Sequence, residues 1–423
     1  MRIEETEVRI AENGAIVLPP ELARRYGLCR GAKIRIEPSH NGLYLLQPVH
    51  HLARVYIEPT NRCNLECLTC MRHVWDEQPN DMSSTTFSHI LNGLRDCAIP
   101  PDIIFGGLGE PLAHPDIVEM VRQAKVLGVS VELITNGTLM KRSLARQLID
   151  SGLDRLWVSL DGSTPESFSD VRLGAELNHV LANLAEFRKA RWDRYAPAYL
   201  DYHLKPELAI IFVAMKRNIG DLPEVMRLGS RLGARRFMVT NVLPYTEEMH
   251  SEILYLRALD DVLYASPLEG PSVELPKMDI NPATLRALHG VILGGYAVKF
   301  AGGSLGERSN RCPFIERGAT AIRWDGNMSP CLPLLHSHRT YLNRFQRAMQ
   351  CHTVGNVSGA RILDLWNLPE YVSFRERVQR FDFSPCTMCG GCELLESNEE
   401  DCIGSPFPAC GGCLWAQGVI QCP

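Results

Sequence analysis

Three cysteines fall within eight residues, Cys63-Asn64-Leu65-Glu66-Cys67-Leu68-Thr69-Cys70, in the spacing C-x3-C-x2-C. Thiolates are ligands for soft metals and for iron–sulfur clusters. A cubane cluster has four irons, so three thiolates leave one iron open to a ligand that is not protein. Structural zinc is the competing chemistry. It usually takes two separated ligand pairs and closes at four, so this triad would have to recruit another thiol such as Cys97.

A second group of thiols lies at the other end of the chain. Seven of the fifteen cysteines fall between Cys386 and Cys422: Cys386, Cys389, Cys392, Cys402, Cys410, Cys413 and Cys422. Cys312 and Cys331 precede them. The run Ala321 to Met328 between those two reads as a hairpin turning at Asp325-Gly326, which draws Cys312 toward Cys331. Clustering of this kind reads as metal ligation, and zinc competes with iron–sulfur clusters for the C-x2-C pairs. Cys29, Cys97 and Cys351 read as ordinary buried thiols.

The composition restricts the setting. The 423 residues predict two or three domains, and 45% hydrophobic with 22% charged residues is ordinary for a globular protein. A net charge of −5 speaks against a general nucleic-acid binder. No apolar run is long enough to span a bilayer, and Met1 to Thr6 lacks the apolar core of a signal peptide. These observations predict a cytoplasmic protein with no membrane partner, where cysteines are reduced and serve as ligands.

The thiols of the triad must be held by something regular. From Ala53 to Pro244, strand-like and helix-like runs alternate. The strands expected are Val55–Glu58, Ile103–Phe105, Ser130–Ile134, Arg155–Leu160, Leu208–Val213 and Phe237–Val242. Pro115–Leu127, Arg142–Ser151, Leu177–Arg191 and Asp221–Leu232 are the helices. This alternation predicts an α/β fold with a parallel sheet, a partial (β/α)6 TIM-type barrel over residues 51–244. Chemistry in such barrels gathers at the C-terminal ends of the strands. The cysteine loop follows the first strand, and Gly106-Gly107-Leu108-Gly109-Glu110-Pro111 follows the second, with glycines that let backbone approach a ligand closely. Thr135-Asn136-Gly137 follows the third and Ser159-Leu160-Asp161 the fourth. Asn241 and Pro244 follow the sixth and are candidate cofactor or substrate contacts.

In that order and spacing the motifs resemble those of the radical S-adenosylmethionine enzymes. The resemblance implies that Cys63, Cys67 and Cys70 hold a [4Fe-4S] cluster whose open iron is chelated by S-adenosylmethionine. One electron, from reduced ferredoxin or flavodoxin, then splits the sulfonium and yields a 5′-deoxyadenosyl radical that abstracts a hydrogen atom. It further implies that Gly106, Gly107, Gly109, Glu110 and Pro111 grip the cofactor's amino group and that Asn136 lies near the nucleoside. Ser159 and Asp161 would meet the ribose, although Asp161 can equally be a turn residue. Arg172 is either the partner of the methionyl carboxylate or an exposed arginine. Thr69 replaces the aromatic residue that many members carry before the third cysteine, so adenine would stack elsewhere, with His73 and Trp75 as candidates.

Residues 1–50 read as a separate unit: a hairpin around Asn13-Gly14, a helix from Glu21 to Tyr26, and strands Lys33–Glu37 and Leu43–Leu46. They resemble the swapped-hairpin AbrB/SpoVT domain, which implies dimerisation or DNA binding. Seven basic residues stand against six Glu, a balance that offers little counterion-release drive, so protein docking or dimerisation is favoured over DNA. Residues 245–311 read as a linker with a helix from Glu247 to Tyr264, a loop from Pro267 to Pro276, and a helix opened by Asn281-Pro282.

Residues 312–423 resemble the SPASM domain, in Cys312-x13-Gly326-x4-Cys331 and the later cysteine pairs. The resemblance implies one or two auxiliary [4Fe-4S] clusters. By order, one would use Cys386, Cys389, Cys410 and Cys422. The other would use Cys312, Cys331 and Cys413, with Cys392 or Cys402 as its fourth ligand or an iron left free. Three resemblances in one chain look most like the maturase group associated with tungsten-dependent aldehyde ferredoxin oxidoreductases. That likeness implies a protein, peptide or cofactor substrate. A ribosomal-peptide-modifying enzyme is the alternative within the class, and a redox- or S-adenosylmethionine-sensing DNA-binding regulator the alternative outside it. No general acid or base is singled out among Asp201, His203 and Tyr245.

Overall fold

Short runs of β-branched and apolar residues, each followed by an amphipathic segment, build the centre of the molecule. The computed structural model describes residues 8, 10–13, 15–28, 31–39, 42–195, 204–256, 272–276, 278–279, 281–293, 297–300, 303–305, 310–387, 389 and 391–423. Helix α1 (Pro20–Arg25) and the hairpin of β1 (Ile36–Ser39) and β2 (Gly42–Leu45) lie near the N-terminus. The six expected parallel strands follow: β3 (Arg54–Ile57), β4 (Asp102–Phe105), β5 (Val131–Thr135), β6 (Arg155–Ser159), β7 (Glu207–Ala214) and β8 (Ala234–Asn241).

Alternation along the strands separates two apolar faces. Val55, Ile57, Ile103, Phe105 and Leu133 join the cluster that includes the helices. Tyr56 and Ile104 point the other way and pack with Phe314 and Ala321. On the helical side, α2 (Ser84–Arg95) buries Phe87, Ile90, Leu91 and Leu94, an i, i+3, i+4, i+7 stripe. The Thr86 amide donates to the Ser83 hydroxyl at its N-terminus at 3.0 Å. α3 (Ile117–Lys125) and α4 (Arg142–Asp150) bury similar stripes. Each such buried side chain contributes about 1.5–3 kcal/mol from removal of apolar surface from water.

The sheet does not stop at β3. Strand β12 (Ala319–Ile322) pairs parallel to β3, β13 (Asn327–Ser329) pairs antiparallel to β12, and β16 (Gly355–Asn356) follows. The order is β16-β13-β12-β3-β4-β5-β6-β7-β8. The hairpin between Cys312 and Cys331 therefore continues the core sheet. Ala319–Ile322 is buried throughout, which is what a strand covered on both faces requires. Residues expected to be a linker hold further structure. Ser272–Leu275, read as loop because of its flanking prolines, is strand β9 in a three-stranded sheet with β10 (Ala297–Phe300) and β11 (Gly303–Leu305). The helix expected from Glu247 to Tyr264 is seen as Glu247–Ser251, and its remainder beyond 256 lies outside the described residues.

A second hairpin, β14 (His338–Leu342) and β15 (Phe345–Met349), crosses the C-terminal mouth of the six strands. Its Tyr341 amide and Thr340 hydroxyl both donate to Pro244 O, at 3.0 Å, just beyond β8. On the β3 side a cleft separates the hairpin from residues 73–76. The N-terminal residues are tied down by Arg311 on Glu37 (2.5 Å) and by Arg35 Nη1 on Gln379 O (2.8 Å). Among the described residues no helix is long and apolar enough to cross a membrane.

Candidate active site

Strand β3 ends at Ile57 and the chain turns over the sheet into the cysteine loop. Two backbone bonds seat it: Glu66 N donates to Leu173 O (3.1 Å) and Leu68 N to Val171 O (3.0 Å). Cys67 is buried, whereas Cys63 and Cys70 are partly exposed. Donors converge on the thiols: Arg172 Nη1 lies 3.8 Å from Cys67 Sγ, and Asn136 Nδ2 lies 3.8 Å from Cys63 Sγ. Burial pushes the Cys63 and Cys67 thiols up, while Arg172 pulls Cys67 back. Deprotonation is thus left to a bound cation, and ligation releases protons.

The Gly106–Pro111 segment lies against this loop because its glycines leave no side chain between them. A Cβ on Gly109 would stand 2.1 Å from Thr60 O, and one on Gly107 would stand 2.6 Å from Glu58 Cγ. Glu110 N donates to Arg62 O at 2.7 Å. The Glu110 carboxylate is buried and fully engaged. Oε1 accepts from the Thr135 hydroxyl (2.6 Å) and Leu112 N (3.0 Å), and Oε2 from Asn136 N (2.7 Å). Burial raises its pKa, and those donors oppose the rise. Glu110 therefore locks the loops after β4 and β5 together.

Asp161 and Arg172 form a buried pair. Asp161 Oδ2 accepts from Arg172 Nε at 2.6 Å, and Oδ1 accepts from Val213 N at 2.7 Å. Asp161 was expected at a ribose, yet its side chain is 0% exposed and both oxygens are occupied. It sets the direction of Arg172 instead, so Arg172 is not the exposed arginine that was the alternative. Burial works against the guanidinium charge, but Asp161 and Cys67 more than offset it and hold Arg172 charged. Ser159 stands partly exposed at the end of β6.

Other expected contacts are engaged elsewhere. The His73 ring bonds Cys67 O through Nε2 at 2.9 Å, and Trp75 packs on His336 with ring centroids 4.5 Å apart. Trp75 thus has one ring contact inside the protein, whereas His73 is held by its ring edge at the cysteine loop. Asn241 Nδ2 donates to Val419 O at 2.9 Å, and Pro244 O serves the β14 hairpin. Cys97 lies at the end of α2, its thiol 3.8 Å from Gly93 O. Asp201, His203 and Cys29 lie outside the described residues.

In the tail, Cys312, Cys331, Cys410 and Cys413 line one largely apolar cavity together with Arg347. Assignment by order had placed Cys410 and Cys413 at different clusters. Long-range closure brings both to the hairpin pair, a convergence that chain order does not encode. Burial pushes Cys312 up to about 12 and raises Cys331 and Cys410 well above a free thiol. Cys422 accepts from Trp415 Nε1 at 3.3 Å. Cys386 is partly exposed, and Cys389, Cys392 and Cys402 are exposed. Arg347 is buried and donates to Leu395 O (2.6 Å), Ser397 O (2.8 Å) and Gly412 O (3.1 Å), fastening the tail.

Residues 57–203 match the model of the radical S-adenosylmethionine superfamily, and residues 312–393 match that of the SPASM iron–sulfur cluster-binding domain. Together the matches span more than half of the chain. The chain is a radical S-adenosylmethionine enzyme. This radical S-adenosylmethionine enzyme is 29% identical over 377 residues to a tungsten-containing aldehyde ferredoxin oxidoreductase cofactor-modifying protein of Pyrococcus furiosus, covering 87% of this chain and 96% of that one. It is 30% identical over 192 residues to a PqqA peptide cyclase of Rhodopseudomonas palustris, covering 45% of this chain and 47% of the relative. Its fold is similar to that of Streptococcus suis SuiB bound to S-adenosylmethionine, with a TM-score of 0.50, 18% identity, and 86% and 74% of the two chains covered.

The cofactors of such an enzyme are a [4Fe-4S] cluster with S-adenosylmethionine and auxiliary iron–sulfur clusters. The donor set of this radical S-adenosylmethionine enzyme fits them. Three thiols share one loop under two N–H donors, and four more line one cavity. Among the described residues no three His, Cys, Asp or Glu are arranged to hold a single metal ion. The sequence reading missed His336. It lies between Glu58 Oε2 (Nε2, 2.9 Å) and Glu77 Oε1 (Nδ1, 2.7 Å), and no spacing rule connects residues so far apart.

Proposed function

We propose that this enzyme modifies a tungsten-dependent aldehyde ferredoxin oxidoreductase or its pterin cofactor, taking electrons from reduced ferredoxin or flavodoxin. The likeness to the Pyrococcus furiosus cofactor-modifying protein along nearly both whole chains carries the reading. When bound, the cluster with S-adenosylmethionine supplies hydrogen-atom abstraction. Cys63, Cys67 and Cys70 hold that cluster, and Arg172, directed by Asp161, faces the thiolate side with a fixed positive charge. Gly106, Gly107, Gly109 and Pro111 shape the cofactor loop, with Glu110 bracing it from below. Asn136 and Ser159 line the mouth beside it. In the tail, Cys312, Cys331, Cys410 and Cys413 hold one auxiliary cluster. Cys386, Cys389 and Cys422, with Cys392 or Cys402, hold the other.

The N-terminal unit is a docking element in this reading, and an AbrB-like pairing with a second copy is one form of it. Ile10, Val17 and Leu43 are 70%, 65% and 65% exposed, a concentration of apolar surface that suits a protein partner. The decisive experiment is co-production of the tungstoenzyme with and without this protein, followed by the mass and activity of its cofactor. An altered cofactor mass that depends on Cys63, Cys67 and Cys70 supports the proposal. Identical cofactors overturn it. A second reading, modification of a ribosomal peptide, draws on the likeness to the peptide cyclase. A mass change in a small peptide from the neighbouring genes, with an unchanged tungstoenzyme, would favour it.

A further inference from the structure

Glu58 stands one residue beyond β3, beneath the Gly106–Pro111 loop, and is buried. One carboxylate oxygen, Oε1, accepts from Leu108 N at 3.0 Å. The other, Oε2, meets Nε2 of His336, whose side chain is 0% exposed, at 2.9 Å. His336 belongs to the tail, just after Cys331, while Glu58 and Leu108 belong to the core. The opposite ring nitrogen, Nδ1, meets Glu77 Oε1 at 2.7 Å, and Arg323 Nη1 donates to that same oxygen at 3.2 Å. Asp325 Oδ1 in turn accepts from Arg323 Nε at 3.0 Å. Trp75 covers the imidazole face.

A core histidine satisfied by neutral groups needs one donor and one acceptor. Here both nitrogens face carboxylates, and only the imidazolium form donates from both. A buried charged array of this kind adds little net stability, because desolvation offsets attraction. What it supplies is geometry: the position of Glu58 is fixed, and with it the amide of Leu108.

We propose that His336 is a positioning residue for the cofactor loop: by clamping Glu58 it fixes Leu108 within Gly106–Pro111 and makes S-adenosylmethionine binding in the core depend on the tail. The inference rests on reading that loop as the cofactor loop and is independent of the substrate. The charged groups around the ring are Glu58 from the end of β3, Glu77 from the segment after Cys70, and Arg323 with Asp325 from beyond β12. His338 lies two residues on, and its pKa is lowered to about 4, chiefly by burial. Burial lowers the pKa of His336, but Glu58 and Glu77 more than offset it and raise it to about 9. The clamp is complete at neutral pH and is lost as pH rises through that value.

The test is S-adenosylmethionine titration of the full, anaerobically reconstituted protein, followed by the change it causes in the electron paramagnetic resonance signal of the reduced core cluster. Wild type, His336→Gln, Glu58→Gln and the double variant are compared, with iron per chain as control. The expected result is about tenfold weaker binding in each single variant with iron unchanged, the double no weaker than the weaker single. Wild-type affinity should fall as pH rises through about 9. His336→Gln should show no such fall. Wild-type affinity of the single variants, additive losses in the double, or core-cluster iron lost with the affinity would overturn the proposal. If the variants do not fold, the wild-type pH series decides, and a flat affinity through that range overturns it. A wild type that binds no S-adenosylmethionine defeats the reading of the loop itself, whereas a binding wild type with unaffected variants defeats this proposal alone.

Discussion

The cysteine loop and the cysteine tail solve the same problem by opposite means. Cys63, Cys67 and Cys70 share one connection off the end of β3, and their neighbours come from the ends of adjacent parallel strands. The tail thiols come from stretches with little regular structure, gathered around a cavity and fastened by Arg347 to three carbonyls. A sheet places its strand ends whatever the loops contain, so the first site inherits its geometry. The second depends on loops that its own cofactor must help to hold, since between Cys386 and Cys422 the only regular element among the described residues is the short turn Glu393–Glu396. At both sites burial pushes thiols up, so ligation must displace their protons.

The largest expected effect separates the two regions outright. With three four-iron clusters, the reconstituted protein should hold about twelve irons per chain, and Cys63/Cys67/Cys70→Ala together should hold about eight. That variant should form no 5′-deoxyadenosine with dithionite and S-adenosylmethionine. Cys312/Cys331→Ala should also lose about four irons yet still form it. Zinc without labile sulfide in the native protein would sink the cluster assignment at both sites.

Single methyl groups should reproduce that contrast on a smaller scale. Gly109→Ala would push a Cβ to 2.1 Å from Thr60 O, and Gly411→Ala would push one to 2.0 Å from Ser384 O and 3.3 Å from Cys386 Sγ. Backbone cannot yield as a flexible side chain can, and overpacking of this kind costs about 1–3 kcal/mol or more. Gly109→Ala should weaken S-adenosylmethionine binding with auxiliary iron intact. Gly411→Ala should lose auxiliary iron with that binding intact. If both variants lose the same iron, the two regions are one cooperative unit.

Much of the first region was legible in the sequence, because its signals are local. Strand-like runs such as Ile103–Phe105, the glycines of Gly106–Pro111 and the thiol spacing each lie within a few residues, and the sheet sets their mutual placement. What was not legible depends on contacts across the chain. The pairing of β12 with β3 joins residues more than 250 apart in sequence, and nothing in Ala319–Ile322 names its partner. Asp161 was readable as a strand-end carboxylate, but its burial beneath Arg172 was not. The convergence of Cys410 with Cys312 follows from the folding of the whole tail.

The Asp161–Arg172 pair offers an intermediate test within the core alone. Asp161→Asn would leave the buried guanidinium without its carboxylate, and breaking such a pair by removing one partner costs about 3–5 kcal/mol. The variant should melt at lower temperature and bind S-adenosylmethionine more weakly, as measured by calorimetry and by the same spectroscopic titration. Binding at wild-type strength would remove Arg172 from the cofactor site.

The smallest expected effect concerns a thiol that belongs to neither region. Cys97 sits at the end of α2, 9% exposed, with Gly93 O at 3.8 Å as its partner and burial raising its pKa to about 11. It is a small apolar filler in a helix end, and Cys97→Ala removes one sulfur from a packed site. The expected cost is about 1 kcal/mol, read as a small drop in thermal midpoint. Iron per chain and 5′-deoxyadenosine formation should not change. The contrast with Cys67 is instructive: both thiols are buried, but only Cys67 has a guanidinium directed at its sulfur. If Cys97→Ala did cost iron, burial without a nearby cation would suffice for ligation, and the zinc reading that recruits Cys97 would return.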